Sequence, residues 1–263
     1  MISGILLGIC VGLIMGLTGA GGGILAVPAL MFAMGLTLLA AKPVALIAVG
    51  AAALVGTFHG LRQGLVRYRA ALTMALAGLV TAPLGVWSAA LLHPTVVSVI
   101  FIVVMIISGV RMLLSSRELS AENQQLGRVL CPISDTSGRF IWTRVSTLII
   151  LMIGAAAGFF TGLLGVGGGF IIVPALLALS NISLNSAVAT SLMVITLNAL
   201  ITLTLTLDAG IALSIPLWAF VICTLAGLSL GRLLVNHIPE SFIRYGFSAL
   251  SFTVAAAMLV TII

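Results

Sequence analysis

The chain has 263 residues, of which eleven are Lys or Arg and five are Asp or Glu, so only 6% are charged. Soluble domains carry about 25%, whereas this chain is 62% hydrophobic with a mean hydropathy of +1.37, which leaves no polar exterior for a water-soluble fold. A soluble enzyme, a disordered chain and a disulfide scaffold are excluded, and an all-α polytopic membrane protein remains.

Ten apolar segments follow in chain order. The first, 2–18, has no Lys or Arg ahead of it and no cleavage site, so it reads as a retained helix rather than a signal peptide. It carries Gly8, Gly12 and Gly16 on one face, where missing side chains let another backbone approach. Gly19-Ala20-Gly21-Gly22-Gly23 comes next, and four glycines in five positions disfavour a continuous helix. Segment 24–41 contains Pro28, and 43–59, 70–92 and 95–115 complete a first membrane repeat over 1–115. A polar linker occupies 116–144. The second membrane repeat, 145–263, opens with 145–164 and its Gly154, Gly158 and Gly162. Gly165-Val166-Gly167-Gly168-Gly169 then precedes a short segment, 170–181, which reads as a broken or half-length helix. Segments 187–207, 211–235 and 241–263 follow.

The two repeats are copies. At an offset of 146, residues 154–177 match 8–31 at twelve of 24 positions, including every glycine of the first cluster and the Pro28/Pro174 pair. Five segments per copy is an odd number, so the second copy enters the bilayer from the opposite side. About ten transmembrane segments in two inverted five-segment repeats are therefore expected, an arrangement that places substrate between the halves.

Charge supports the count. With ten crossings, Arg62, Arg67, Arg69, Arg111, Arg117, Arg128, Arg139, Arg144, Arg232 and Arg244 share one side, and only Lys42 falls on the other. Excess positive charge marks the cytoplasm, which puts both termini in the periplasm and the 116–144 linker inside. The net charge of +6 has this topological reason; without a basic run or interleaved aromatics it does not indicate nucleic acid.

The segments offer few chemical groups. Cys10, Cys131 and Cys223 have neither metal nor redox spacing, and no cofactor or metal is expected. In an apolar setting, unwound glycine backbone is tolerated only where it is buried in protein or lines a cavity. Helix N-termini directed at such a break supply N–H groups and partial positive charge, which suits a small anion. Gly19, Gly21, Gly22 and Gly23 with Gly165, Gly167, Gly168 and Gly169 are the candidate substrate-binding backbone. The eighth segment adds Ser191, Asn198 and Thr202, within about 40° of one another on a helix. Lys42, His59, His93, Asp208, His237 and Glu240 stand at predicted segment ends, as interfacial anchors do. Lys42 also has the charge to attract an anion, and His59 is the nearest approach to a proton carrier.

The paired GLTGAGGGILAVPAL and GLLGVGGGFIIVPALL, with Ala187-Val188-Ala189-Thr190-Ser191-Leu192 further on, resemble the TauE/SafE (sulfite exporter) family over essentially the whole chain. The resemblance implies a bacterial inner-membrane transporter exporting sulfite, sulfonates or related organic anions, and adds Thr190 to Ser191 and Asn198 as a binding candidate. The first half departs from the pattern, with Val44 and Ala45 where the second has Thr190 and Ser191. Expected partners are a small anionic substrate, the lipid bilayer and a second copy in a homo-oligomer. A passive anion channel or structural membrane subunit is the alternative. An intramembrane enzyme fits least, because no HExxH or G-x-S-x-G motif is present.

Overall fold

A computed structural model describes residues 2–19, 21–114, 131, 142–206, 215–234 and 239–262. The 116–144 linker, apart from Cys131 and 142–144, lies outside the described residues, as do Asp208, Gly210 and His237. The described residues form ten helices: α1 Ile2–Thr18, α2 Gly21–Met34, α3 Leu38–Arg62, α4 Tyr68–Leu91, α5 Pro94–Leu114, α6 Arg144–Leu164, α7 Gly169–Leu179, α8 Leu184–Thr206, α9 Ile215–Leu234 and α10 Glu240–Ile262. Among the described residues the one β pairing is an isolated bridge between Cys131 and Ser180.

Seven helices are long and apolar enough to cross a membrane. The other three, α1, α2 and α7, have 17, 14 and 11 residues, or about 26, 21 and 17 Å against about 30 Å of hydrocarbon. A short α7 is expected from the sequence. The shortness of α2 is a correction, because the apolar run to Ala41 hides a break: Gly35 turns left-handed at φ 64°, and Thr37 caps α3 by accepting the Ala40 N–H at 3.4 Å. Helix α3 therefore starts at Leu38, five residues earlier than the apolar pattern suggests.

The bundle is inside-out. Trp87, Leu76, Met152, Ile222, Phe242 and Val260 are all more than 60% exposed, and the interior is filled by small residues such as Ala41, Ala45, Ala48, Ala52 and Ala157. Such an apolar surface is stable in lipid and a liability in water. All five Trp and Tyr residues are exposed and lie near helix ends, where interfacial aromatics sit.

Packing follows the duplication. Helix α1 packs on α9 and α6 on α4; α3 packs on α8 and α5 on α10; α3 also meets α9, and α4 meets α8. Glycine enables the closest pairs. A Cβ on Gly8, Gly12 or Gly16 would collide with α9 backbone at Phe220, Thr224 and Leu228. One on Gly154, Gly158 or Gly162 would collide with α4 backbone at Met74, Gly78 and Ala82. Each partner in the second set is the first set's partner less 146.

The linker is tied down at one described point. The Cys131 N–H donates to the Leu179 carbonyl at 2.9 Å, and its Sγ reaches the Ser146 carbonyl at 3.9 Å, which places the start of α6 beside the end of α7. Burial pushes the Cys131 thiol pKa up, away from reactivity.

Candidate functional site

Each glycine cluster turns a hairpin. Helix α2 doubles back along α1: Gly22 sits against Met15, and a Cβ on Gly4 would lie 2.5 Å from Met34 Cε. Helix α7 likewise returns along α6, with Gly168 against Ala157. The two turns differ. Only Gly19 is left-handed in the first, at φ 75°, and Gly21, Gly22 and Gly23 already belong to α2. The helix breaks at this cluster, as its glycines lead one to expect, but Gly21, Gly22 and Gly23 lie on the helical side of the break. In the second turn Gly165, Gly167 and Gly168 are all left-handed, at φ 76°, 82° and 69°, a conformation that favours glycine at all three. Because Gly168 lies beside Ala157, seven residues back from the end of α6, the unwound chain descends about 10 Å into the bundle.

The breaks meet. A Cβ on Gly23 would lie 2.6 Å from the Val166 carbonyl oxygen and 3.3 Å from Val49 Cγ1. One on Gly167 would lie 2.9 Å from Ile195 Cγ2 and 3.4 Å from Val49 Cγ1. Gly19, Gly22, Gly23, Gly165, Gly167, Gly168 and Gly169 are buried, and Gly21 begins α2 beside them. The N-termini of α2 and α7 thus approach one region, each carrying roughly half a positive charge on free N–H groups.

Helix α8 lines this region. Thr190, Ser191, Asn198 and Thr202 are all fully buried, so the polar stripe faces inward. Their groups are not equally free. Thr190 Oγ1 donates to the Ser186 carbonyl at 2.7 Å and accepts the Arg67 N–H at 3.0 Å. Ser191 Oγ donates to the Val188 carbonyl at 2.9 Å, with the Gly19 carbonyl at 3.4 Å. Neither amide atom of Asn198 has a partner, nor does Thr202 Oγ1 one turn on. The Asn198 amide lies in the space left by Gly78 of α4, where a Cβ would overlap it. An anion needs donors. Asn198 and Thr202 hold theirs unused, whereas Thr190 and Ser191 would first have to release a backbone carbonyl.

Two further expectations change. Lys42 is not an interfacial anchor: it lies in the second turn of α3, is only 8% exposed, and its stem packs on Gly165. Sequence reasoning missed this burial, although the repeat offset signals it, because Lys42 plus 146 is Val188, which packs on Gly19. His59 is exposed near the end of α3 and bonds Gln63 at 3.0 Å.

Buried glycine-broken hairpins inside an apolar helical bundle belong to the class of multi-pass membrane transporters. The family model described as sulfite exporter TauE/SafE matches residues 4–258, and the chain belongs to that family. It is 29% identical over 203 residues to the probable membrane transporter protein YunE of Bacillus subtilis (strain 168), covering 74% of each chain. It is 31% identical over 242 residues to a probable membrane transporter protein of Xylella fastidiosa (strain 9a5c), covering 88% of this chain and 83% of the relative. No solved structure matches it.

Proposed function

We propose that the chain is a secondary transporter that exports small anions, such as sulfite, sulfonates or related organic acids, by alternating access. The observation that carries the anion reading is the convergence of the α2 and α7 N-termini in a region where the described residues include no acid. Of the five carboxylates of the chain, at 118, 122, 135, 208 and 240, only Glu240 falls among the described residues, and it opens α10 away from both glycine turns in sequence. The partial positive charge of two helix ends is therefore left for a ligand to balance. Backbone of both glycine turns, Asn198 and Ser191 hold the anion, and Thr190 positions the α3–α4 connection beside it.

The halves act as an inverted repeat. Helices α3 and α8 are equivalent under the offset and pack antiparallel, with Gly50 facing Ala199, Gly56 facing Leu192 and Gly60 facing Ala189. The α5/α10 pair does the same: Ser248 donates to the Gly109 carbonyl and Arg244 to that of Met112. Equivalent helices crossing antiparallel imply a two-fold axis perpendicular to them, in the membrane plane. Rocking of one half against the other then alternates access. The protein occupies a bacterial inner membrane with its Arg-rich side in the cytoplasm. An inside-negative potential favours anion exit by about 2.3 kcal/mol per charge at 100 mV, so export needs no coupled proton.

Purified protein in liposomes tests this with sulfite, sulfate, sulfoacetate, taurine and simple carboxylates, with and without imposed voltage and pH gradients. The expected result is saturable flux of at least one anion, accelerated by unlabelled anion on the far side. Flux that rises linearly with concentration would make the protein a channel. No flux of any anion would remove the transport reading.

A further inference from the structure

The duplication makes one contact twice with different residues. At the first hairpin tip, a Cβ on Gly19 would lie 2.5 Å from Val188 Cγ2. At the second, a Cβ on Gly165 would lie 2.9 Å from Lys42 Cβ and 3.0 Å from its Cγ. Val188 and Lys42 are separated by 146 residues, as Gly165 and Gly19 are. Valine therefore suffices to seal a glycine turn in this fold. The Cβ and Cγ of Lys42 repeat that packing, and the rest of its side chain, with the ammonium, contributes nothing to the seal.

That ammonium is expensive in its position. Lys42 is 8% exposed inside a membrane helix, and among the described residues it has no hydrogen-bond or ion-pair partner. A buried charge without a partner is strongly unfavourable, and an apolar residue at the equivalent contact avoids the cost. The Lys42 stem is adjacent to the deeper of the two turns, where Gly165, Gly167 and Gly168 leave the backbone unwound ahead of the N-terminus of α7.

We propose that the Lys42 ammonium binds the oxyanion group of the transported solute beside the 165–168 turn. This rests on the anion-transport reading above.

The test uses Lys42→Val, Lys42→Met and Lys42→Arg in proteoliposomes with sulfite and sulfoacetate as probes. Lys42→Val places at this contact the residue that the other tip already carries, so it is expected to fold, and thermal melts check that. Lys42→Val and Lys42→Met should raise KM at least tenfold, and Lys42→Arg should stay within about threefold of the wild type. Wild-type KM in Lys42→Val, with either probe carried, overturns the Lys42 assignment and leaves the transport reading intact. Wild-type protein carrying neither probe overturns the Lys42 assignment, and flux of none of the five solutes overturns the transport reading with it. Asp208→Asn provides a control for a structural ion pair. A loss in Asp208→Asn equal to that in Lys42→Val, restored in the double variant, would assign the charge to pairing and overturn the proposal. Normal flux in Asp208→Asn supports it.

Discussion

Thr190 and Asn198 stand about two turns apart on α8, and their polar groups have opposite circumstances. Thr190→Val removes the acceptor of the Arg67 N–H and the partner of the Ser186 carbonyl. A buried donor left unpaired costs about 1–3 kcal/mol, so this variant should melt earlier in detergent while retaining substrate affinity. Asn198→Leu removes an amide that already lacks partners, and such a replacement is close to neutral or stabilising. It should keep its melting temperature and lose at least tenfold in flux. A drop of several degrees in Asn198→Leu, with flux preserved, would show that the amide serves packing alone. The inward stripe of α8 was legible because helical angle depends only on spacing. Which hydroxyl is spare was not, since that depends on Arg67 from one connection and Gly78 from another helix, both distant in sequence.

The proposed transport depends on the hairpins. A Cβ on Gly168 would meet the Ala157 carbonyl, and one on Gly22 the backbone of Met15. Gly168 is also left-handed, which costs another residue roughly 1–2 kcal/mol. Leucine at either position must push the returning helix off its partner. Gly22→Leu and Gly168→Leu should therefore insert and be detected in membranes while losing transport, and full flux in both would contradict the site. The glycine clusters revealed that chain breaks exist, because glycine is a poor helix former wherever it occurs. They did not reveal that the first break is short and the second long. The two clusters differ only at Ala20 and Val166, and β-branched valine is the poorer helix former of the two. The Gly8/Gly12/Gly16 and Gly154/Gly158/Gly162 faces were readable as close-packing surfaces from spacing alone, but their partners on α9 and α4 emerge only in three dimensions.

At the scale of the whole molecule, the short helices raise the question of sidedness. Helix α1 and helix α2 form a hairpin whose two ends adjoin, Gly4 against Met34. The start of α6 and the end of α7 adjoin through Cys131. Each hairpin thus returns to the side it left, whether or not its helices span fully. The remaining six helices, α3 to α5 and α8 to α10, each cross once. Three crossings separate the first hairpin from the linker, and three more separate the second hairpin from the C-terminus. Both termini therefore share a side, and the linker lies opposite. This arithmetic leaves Arg232 and Arg244 with the other eight arginines, and the topology we propose, following the positive-inside rule, has that side in the cytoplasm. Alkaline phosphatase fused to the C-terminus should be active and a fluorescent protein fused there dark, with the pattern reversed for fusions within 116–130. A bright C-terminal fluorescent fusion would break the parity on which the inverted repeat rests.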